Sequence, residues 1–532
     1  MRKPSDRNDP DERDHLLRHI SETCQTKKTV PKCGRLSPKF LTFMVLLFVV
    51  LVEFPGNLAQ APRMRIIESI ICRNFYGEHN PRLIGTGPRG EVDEKFCKID
   101  EIQKQFALLK GMQDFFDALP GAFLSLPLGM IADKHGRKWL LVAAYSSLWC
   151  AFVWVYIVCA FPSYIPIHWI WFSGAFSILG GGSAFASALL FVVIADFTSD
   201  AQRANRFFCV SAALLATDVI ASPLSSVLMR HNPWIPISIA VVIFAFAIPA
   251  SFIMPETLGY QREPEHEQPG TEQEDQPFFP SDNTSDSKSS MKQHILDAFV
   301  SARATLRDWR VILLVTSFIF FMQAIESVRL LLLYVSKRYG WPLAKTAFIN
   351  SARSITCLIV LLVALPSISE YLVERRGFSP QEKDLWLART SVMIQATGLF
   401  VEGLAPRADL MLAGTIFATT AVGAPHLIRS LATSLVEPHQ VGRLYAITSV
   451  VSTVSMMTAG PILAGLFNLG IDAGSGWLGL PYFYCAVLGS VFAIGLWLVT
   501  VKKADEDRDT EDSGSENLPE APTSTTLGSL SQ

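Results

Sequence analysis

The stretch GMIADKHGRKW, residues 129–139, decides how the rest of the chain is interpreted. It is a short, strongly basic segment between two long apolar runs, residues 115–132 and 139–161, neither of which contains a lysine or an arginine. A compact charged turn between two helices of membrane-crossing length is typical of a hairpin on the cytoplasmic side, where lysine and arginine accumulate. The segment therefore predicts a chain that crosses a membrane and keeps this hairpin inside.

The bulk composition favours a membrane protein. The chain has 532 residues, of which 50% are hydrophobic and 18% are charged, and its mean hydropathy is +0.30. The formal net charge of −2 lacks the basic excess that nucleic-acid binding needs, so we expect no nucleic-acid partner. The first 39 residues are too polar for a secretory signal peptide, so we expect the first apolar run to be retained as a span.

Twelve apolar runs divide the chain into two groups of six, and a polar linker separates the groups. The predicted spans are about 40–58, 107–131, 139–161, 169–195, 207–229, 235–254, 311–335, 346–366, 386–405, 408–430, 443–468 and 481–501. The predicted domains are a disordered cytoplasmic arm (1–39), an N-terminal six-helix bundle (40–258) with an outer loop (59–105), a cytoplasmic linker (259–310) with an amphipathic helix (291–309), a C-terminal six-helix bundle (311–501) and an acidic cytoplasmic tail (502–532).

The even number of predicted spans places both termini on the same side of the membrane. Lysine and arginine cluster just before the first span, so we expect both termini to be cytoplasmic. We expect a multi-pass protein of the plasma membrane. A vacuolar or other endomembrane location is the alternative.

The nine cysteines contain no CxxC pair, so we expect no zinc site, no other metal and no cofactor. Cys72 and Cys97 both lie in the predicted outer loop. If that loop faces an oxidising compartment, the two thiols can pair, and we predict a Cys72–Cys97 disulfide. The alternative is two free thiols near the membrane.

The spacing Gly-x-x-x-Asp-x-x-Gly-Arg-Lys over residues 129–138 resembles the signature loop of the major facilitator superfamily, and the chain is identified as a member. The resemblance implies an all-α membrane protein with twelve transmembrane helices in two pseudo-symmetric six-helix bundles. It also implies that Asp133, Arg137 and Lys138, with Asp196 as partner, form a charge network that latches the outward-facing state. The alternative role for these charges is to anchor the topology.

Other stretches resemble a fungal facilitator group that is distantly similar to proton-coupled folate transporters. These stretches are IIESIICRNFY (66–76), MPETL (254–258), LYVSKRYGWPLAKTAFINSARS (333–354) and KDLWLAR (383–389). The similarity to folate transporters implies import by symport. The similarity to the fungal group implies export of a metabolite or toxin by antiport, and both directions stay open at this point.

Ionisable side chains inside the predicted spans indicate a functional site, because each costs about 2.5–3.5 kcal/mol at the centre of a span. In the seventh span Gln323, Glu326 and Arg329 recur every three residues, which places them on one helix face. We interpret this face as the wall of a water-filled cavity in which Glu326 carries a proton beside Arg329 or Arg353. The alternative is that Glu326 and Arg329 only neutralise each other. The candidate coupling or substrate-cavity residues are Glu53, Gln323, Glu326, Arg329, Arg353 and His426.

No GxxxxGK[ST] nucleotide-binding loop occurs in the chain, which argues against ATP-driven transport. We therefore expect a secondary active transporter that works by alternating access and is driven by protons. The expected substrate is a small organic molecule, and arginines on the predicted cavity face suit an anion. We expect a monomer in the lipid bilayer without catalytic residues. A membrane sensor that binds a ligand without transporting it is the remote alternative.

Overall fold

The computed structural model describes residues 38–85, 92–196, 200–257, 308–437 and 440–500. The predicted arm, linker helix and tail lie almost entirely outside these residues. The chain divides into two compact units, Met1–Met44 and Val45–Gln532. Of the first unit only the start of one helix is described, and all that follows concerns the second.

All regular secondary structure in the described residues is helical, as the predicted fold class requires. The α-helices are α1 (Pro38–His79), α2 (Asp100–His135), α3 (Lys138–Ala160), α4 (Ser173–Phe176), α5 (Gly182–Asp196), α6 (Asp200–Met229), α7 (Trp234–Ala245), α8 (Ala247–Ile253), α9 (Trp309–Tyr339), α10 (Leu343–Ile359), α11 (Leu365–Glu370), α12 (Pro380–Leu404), α13 (Ala408–Thr419), α14 (Ala424–Ser434), α15 (Val441–Asp472) and α16 (Leu480–Leu498). Short π-helical segments, Val360–Ala364 and Tyr371–Arg375, continue α10 and α11.

Nine helices within the described ranges are long and apolar enough to cross a membrane, and they coincide with nine of the twelve predicted spans. The other three predicted spans are helical too. They correspond to α2, to α4 with α5, and to α12. The fourth span is not among the nine because it is divided into two short helices, neither of which is long enough to cross a membrane. Helix α12 is less apolar because it carries Arg389 and Glu402.

The prediction of an outer loop over residues 59–105 is wrong for its first part, because α1 continues without a break to His79. Charged residues in this stretch interrupt the hydropathy, but Ile67 and Ile71 are almost fully buried against the core. At a rise of about 1.5 Å per residue, α1 is roughly 63 Å long, about twice the apolar thickness of a bilayer. Its second half is therefore a buried helix that extends beyond the predicted span.

The predicted fourth and tenth spans are each interrupted. Between α4 and α5 the backbone of Gly181 and Gly182 has positive φ angles of 74° and 76°, which a right-handed helix does not accommodate. Between α13 and α14 the chain forms tight turns, and Pro425 lacks the N–H group that would continue the helix. The interruptions occur at corresponding places in the two halves of the chain.

Among the described residues, two extensive helix contacts join the N-terminal half (helices α1–α8) to the C-terminal half (α9–α16). Helix α2 packs along α15, and α6 packs along α10. Because α2 runs from the disulfide region to residues 129–139, it defines two ends of the structure. We call the end with Cys72 and Cys97 the loop end and the end with residues 129–139 the hairpin end.

Candidate functional site

At the hairpin end, Arg137 and Asp196 meet as predicted. The Arg137 guanidinium forms an ion pair with the Asp196 carboxylate and donates to the Val192 carbonyl oxygen at 3.3 Å. The Thr257 hydroxyl donates to the same carboxylate at 2.9 Å. The side chain of Asp133 lies outside the described residues. All of these groups belong to the N-terminal half, so this ion pair ties helices of one half together.

Glu256 completes the hairpin, although it was not predicted as a site residue. Its carboxylate accepts hydrogen bonds from the backbone N–H groups of Arg137 at 2.9 Å and Lys138 at 3.2 Å, at the start of α3. A carboxylate in this position satisfies unpaired donors and complements the helix dipole. Gly136 has a φ of 103°, and a Cβ atom there would lie 2.5 Å from the Glu256 carboxylate. The motif glycine therefore makes room for this cap.

Replacement of Glu256 by alanine is expected to destabilise the hairpin end by about 0.5–2 kcal/mol, the usual cost of a lost helix cap. The two N–H donors would lose their acceptor. The measurement is the apparent melting temperature of the detergent-solubilised protein. Glu370→Ala, at an exposed glutamate in the corresponding region of the second half, is the matched control. An unchanged melting temperature for Glu256→Ala would contradict this role.

The central charged cluster combines residues of α2 and α9. On α2, Lys110 forms an ion pair with Asp114 one turn away. On α9, Arg329 Nη1 lies 3.5 Å from Glu326 Oε2. Asp114 lies close enough to Glu326 and to Arg329 to interact with both electrostatically, so the two pairs form one cluster. The Glu326 side chain is 4% exposed and that of Arg329 is 45% exposed, so the arginine is accessible where its carboxylate partner is not.

Arg353 pairs with Asp218 and not with Glu326, the partner that the sequence analysis considered for it. Its guanidinium lies 3.9 Å from Asp218 on α6, which also accepts from Ser222 at 2.8 Å and from Ser354. Of the two arginines considered for Glu326, the structure therefore places Arg329 beside it. Asp218 and Arg353 instead join α6 to α10.

The remaining predicted residues occupy different surroundings. Gln323 is buried one turn from Glu326, and its side-chain oxygen accepts no hydrogen bond from the described residues. Glu53 on α1 is half-buried and lies close enough to Arg329 and Asp218 to interact electrostatically. His426, in the first turn of α14, is exposed, and none of the described residues joins it to the central cluster by a hydrogen bond or ion pair.

From the sequence, Asp114 and Asp117 were placed near the outer end of the second span, at an outer gate or facing solvent, and α2 was not assigned to this cluster. Lys110, Asp114 and Asp117 recur at spacings of four and three residues within an otherwise apolar helix, so they share one face. That periodicity is the signal that would have identified them. Arg63 on α1 also interacts electrostatically with Asp114 and Asp117.

The loop end is organised around a disulfide and a buried carboxylate. Cys72 is bonded to Cys97, with their Cα atoms 5.3 Å apart. Beside the bond, the side chain of Glu68 is completely buried and is held by three donors. These donors are Arg65 Nη1 at 3.1 Å, Lys98 Nζ at 2.6 Å and Gln103 Nε2 at 2.7 Å. The segment before α2 is therefore fastened to α1 both covalently and by charge.

This fastened segment reaches across to the C-terminal half. The Glu94 carboxylate accepts from the backbone N–H of Leu343, at the first residue of α10, at 2.9 Å. Lys337, near the end of α9, donates to the Asp100 carboxylate at 2.6 Å. Because these bonds join the two halves, the loop end is closed in this structure.

Helices α2 and α15 add to this closure. Lys104 forms an ion pair with Asp472, the last residue of α15. Further along, the backbones of Gly111 and Gly460 pass so closely that a Cβ on Gly460 would lie 2.7 Å from the Gly111 carbonyl oxygen. Only glycine allows two helices to approach to this distance. The two halves are therefore in direct backbone contact one turn from Asp114.

Comparison with known proteins agrees with this architecture. The profile of the Major Facilitator Superfamily matches residues 109–458. The chain is 32% identical over 456 residues to the MFS efflux pump atnC of Emericella nidulans, covering 85% of this chain and 86% of the relative. It is 26% identical over 476 residues to the efflux pump ustT of Aspergillus flavus, covering 88% and 89%.

Among solved structures, the fold is similar to that of a D-xylose-proton symporter, with a TM-score of 0.55 and 13% identity. The match covers 86% of this chain and 98% of the other. At that identity the likeness concerns the fold alone. The family match and the relatives nevertheless span most of the sequence that the twelve predicted helices occupy. The chain belongs to the major facilitator superfamily and is a multi-pass membrane transporter, not an enzyme.

Proposed function

We propose that the protein is a proton-coupled secondary transporter that exports a small organic molecule by alternating access. The observation that carries this proposal is the charged cluster of α2 and α9, with Glu326 as the group that takes up and releases the proton. A nearly buried carboxylate beside an exposed arginine is costly inside a membrane, which is why we assign the pair a functional role. Export is favoured because relatives along most of the chain are named efflux pumps.

An anionic substrate is part of this proposal. The side chain of Arg329 is 45% exposed although Glu326 beside it is buried, so a ligand can reach the arginine. A guanidinium binds carboxylates through paired hydrogen bonds. The resemblance to proton-coupled folate transporters agrees with an anion and favours import by symport as the second candidate function.

The proposed orientation places the hairpin end and both termini in the cytoplasm and the loop end outside, in the plasma membrane. The basic residues of 129–139 support this orientation through the positive-inside rule. The disulfide supports it too, because disulfides persist in oxidising compartments. In this orientation the ion pair of Arg137 with Asp196 would stabilise the N-terminal half during the conformational cycle.

Metabolite profiles of cells with and without the protein, at an acidic and a neutral external pH, test the proposed function. We expect the intracellular level of at least one organic anion to fall when the protein is present, and to fall further at acidic pH. Glu326→Gln is expected to abolish the pH dependence, because the amide cannot carry the transported proton. Glu101→Gln, an exposed position on α2, is the matched control. If Glu326→Gln retains the pH-dependent profile, Glu326 is not the coupling site.

A further inference from the structure

A short segment at the loop end, residues 92–98, contacts both halves of the protein, and we call it the clasp. Within it, Glu94–Lys98 form a 3₁₀ helix of five residues. A 3₁₀ helix is weak by itself, because its hydrogen bonds have poorer geometry than those of an α-helix. The position of the clasp therefore depends on the groups that hold it from outside.

The N-terminal half holds the clasp by one covalent bond and several hydrogen bonds. Cys97 is bonded to Cys72 of α1, and both side chains are completely buried. From α2, Gln103 Nε2 donates to the Cys97 carbonyl oxygen at 2.8 Å. From α1, the Tyr76 hydroxyl donates to the Phe96 carbonyl oxygen at 3.0 Å. The disulfide is the strongest of these attachments, because the hydrogen bonds can be exchanged for bonds to water.

The clasp meets the C-terminal half at the start of α10. The first N–H groups of an α-helix have no partner within the helix. Pro342, the residue before α10, carries no side chain that could accept a hydrogen bond. Instead the Glu94 carboxylate accepts from the Leu343 N–H at 2.9 Å, and its negative charge complements the helix dipole. Helix α10 is therefore capped by a residue of the opposite half.

A second contact joins the clasp region to the end of α9. Lys337 donates to the carbonyl oxygen of Lys98, the last residue of the clasp, and to the Asp100 carboxylate at 2.6 Å. Helices α9 and α10 are consecutive, so the clasp contacts the end of one and the start of the next. Since α10 also carries Arg353, which pairs with Asp218 on α6, the cap acts on a helix that joins the halves at two levels.

Glu94 is not needed to balance the charges around the clasp. Arg65 and Lys98 lie 3.7 and 3.0 Å from its carboxylate, but both cations also pair with Glu68, at 3.1 and 2.6 Å. If Glu94 is replaced, these cations keep a buried partner. The contact of Glu94 with Leu343 can therefore be removed while the attachments to the N-terminal half remain.

Attachment before contact makes the cap more effective. A free segment would lose conformational freedom each time it bound α10, at a cost for every residue that becomes ordered. The clasp is already fixed to α1 and α2, so it has lost that freedom before the halves meet. Such preorganisation strengthens binding without any new contact.

We propose that the clasp is a strap that holds the loop end shut, in which the Cys72–Cys97 disulfide positions Glu94 so that it caps α10 from the opposite half. Opening the loop end leaves the start of α10 uncapped, so the cap stabilises the closed state. Glu94 and the two cysteines are positioning residues, which set the ratio of closed to open protein. The inference rests on the proposed alternating access, because it assigns the clasp to one state of that cycle.

The test is the distance across the loop end in the full-length protein in lipid nanodiscs. Spin labels are introduced as non-natural amino acids at Glu101 and Ser475, which are both exposed. Glu94→Ala is expected to lower the ratio of closed to open protein by about 2–30-fold, the range that corresponds to the loss of one helix cap. Glu94→Gln keeps an acceptor without the charge, so it should retain part of the closure. Lys95→Ala, at an exposed position of the same segment, is the matched control and should close like the wild-type protein.

A double-mutant cycle tests whether the disulfide acts through Glu94. Cys72→Ser combined with Cys97→Ser is expected to lower the ratio by a similar factor, because the clasp is then free to leave α1. When Glu94→Ala is added, the total loss should be clearly smaller than the product of the two separate losses, since both changes remove the same contact. A merely structural role of the disulfide would give independent losses that multiply.

Unchanged closure in Glu94→Ala would overturn the proposal, as would an equal loss in Lys95→Ala or losses that multiply in the cycle. The clasp and the proposed function also fail separately. If the clasp variants open the loop end but leave the metabolite profile of expressing cells unchanged, the clasp stands and the proposed transport cycle fails. If the profile responds to Glu326→Gln as proposed but the clasp variants stay closed, the clasp fails alone.

Discussion

Replacement of Gly460 by leucine is expected to prevent the loop end from closing and to abolish transport. The side chain would have to occupy the space of the Gly111 carbonyl oxygen, which lies 2.7 Å from a Cβ placed on Gly460. Overpacking typically costs about 1–3 kcal/mol, and here the obstruction is backbone, which cannot move aside like a side chain. A cost of that size shifts the ratio of closed to open protein about 5–150-fold. Under the proposed alternating-access mechanism, the protein could not complete its cycle with one of the two states excluded.

The measurement combines the metabolite profile of expressing cells with the distance across the loop end between spin labels introduced at Glu101 and Ser475, which are both exposed. Gly465→Leu is the matched control, because it lies on the same helix and a Cβ there meets nothing within 4 Å. The control should transport and close like the wild-type protein. Normal closure in Gly460→Leu would show that the two helices do not need this close approach.

Replacement of Glu68 by alanine is expected to be among the most destabilising single changes at the loop end. The carboxylate is completely buried and neutralises Arg65 and Lys98, while Gln103 donates to it as well. Removing one partner of a buried ion pair costs about 3–5 kcal/mol, because the remaining charges stay buried without compensation. Glu94 also contacts both cations, at 3.7 and 3.0 Å, so we expect the lower end of this range.

The apparent melting temperature of the purified protein measures this effect. Glu78→Ala, at an exposed position near the end of the same helix, should leave the melting temperature unchanged. Glu68→Gln should fall between the two, because the amide retains one acceptor but no charge. Equal melting temperatures for Glu68→Ala and Glu78→Ala would contradict the structural role of the buried carboxylate.

The positions of the membrane helices could be predicted because hydropathy is a local property. Every predicted span contains helix, and residues 129–139 mark the end of α2 and the start of α3. The prediction failed where packing overrides local composition. Residues 59–79 looked like a loop because of Arg63, Arg65 and Glu68, but Arg65 pairs with Glu68 and the neighbouring isoleucines are buried. The break between α4 and α5 was not predicted, because Gly181 and Gly182 were interpreted as small residues that allow close helix packing.

The candidate site was predicted only in part, because local spacing shows contacts within one helix but not contacts between helices. Glu326 and Arg329 lie one turn apart on one helix, so their pairing could be read from spacing alone. Spacing could not decide whether Arg329 or Arg353 lies beside Glu326, because Arg353 is held by Asp218, which lies on the distant helix α6. Lys110 and Asp114 were not assigned to the site, because spacing shows that they share a face of α2 but does not indicate which other helix that face meets.

The sequence by itself determined the membrane class, the order of the helices and the family, since hydropathy, charge placement and the spacing of residues 129–138 are all short-range features. Only the tertiary structure decided that Arg353 pairs with Asp218, that Glu256 caps α3 and that α2 crosses α15 at Gly111 and Gly460. These contacts join residues far apart in the chain. They follow from how helices pack against one another, which no local pattern specifies.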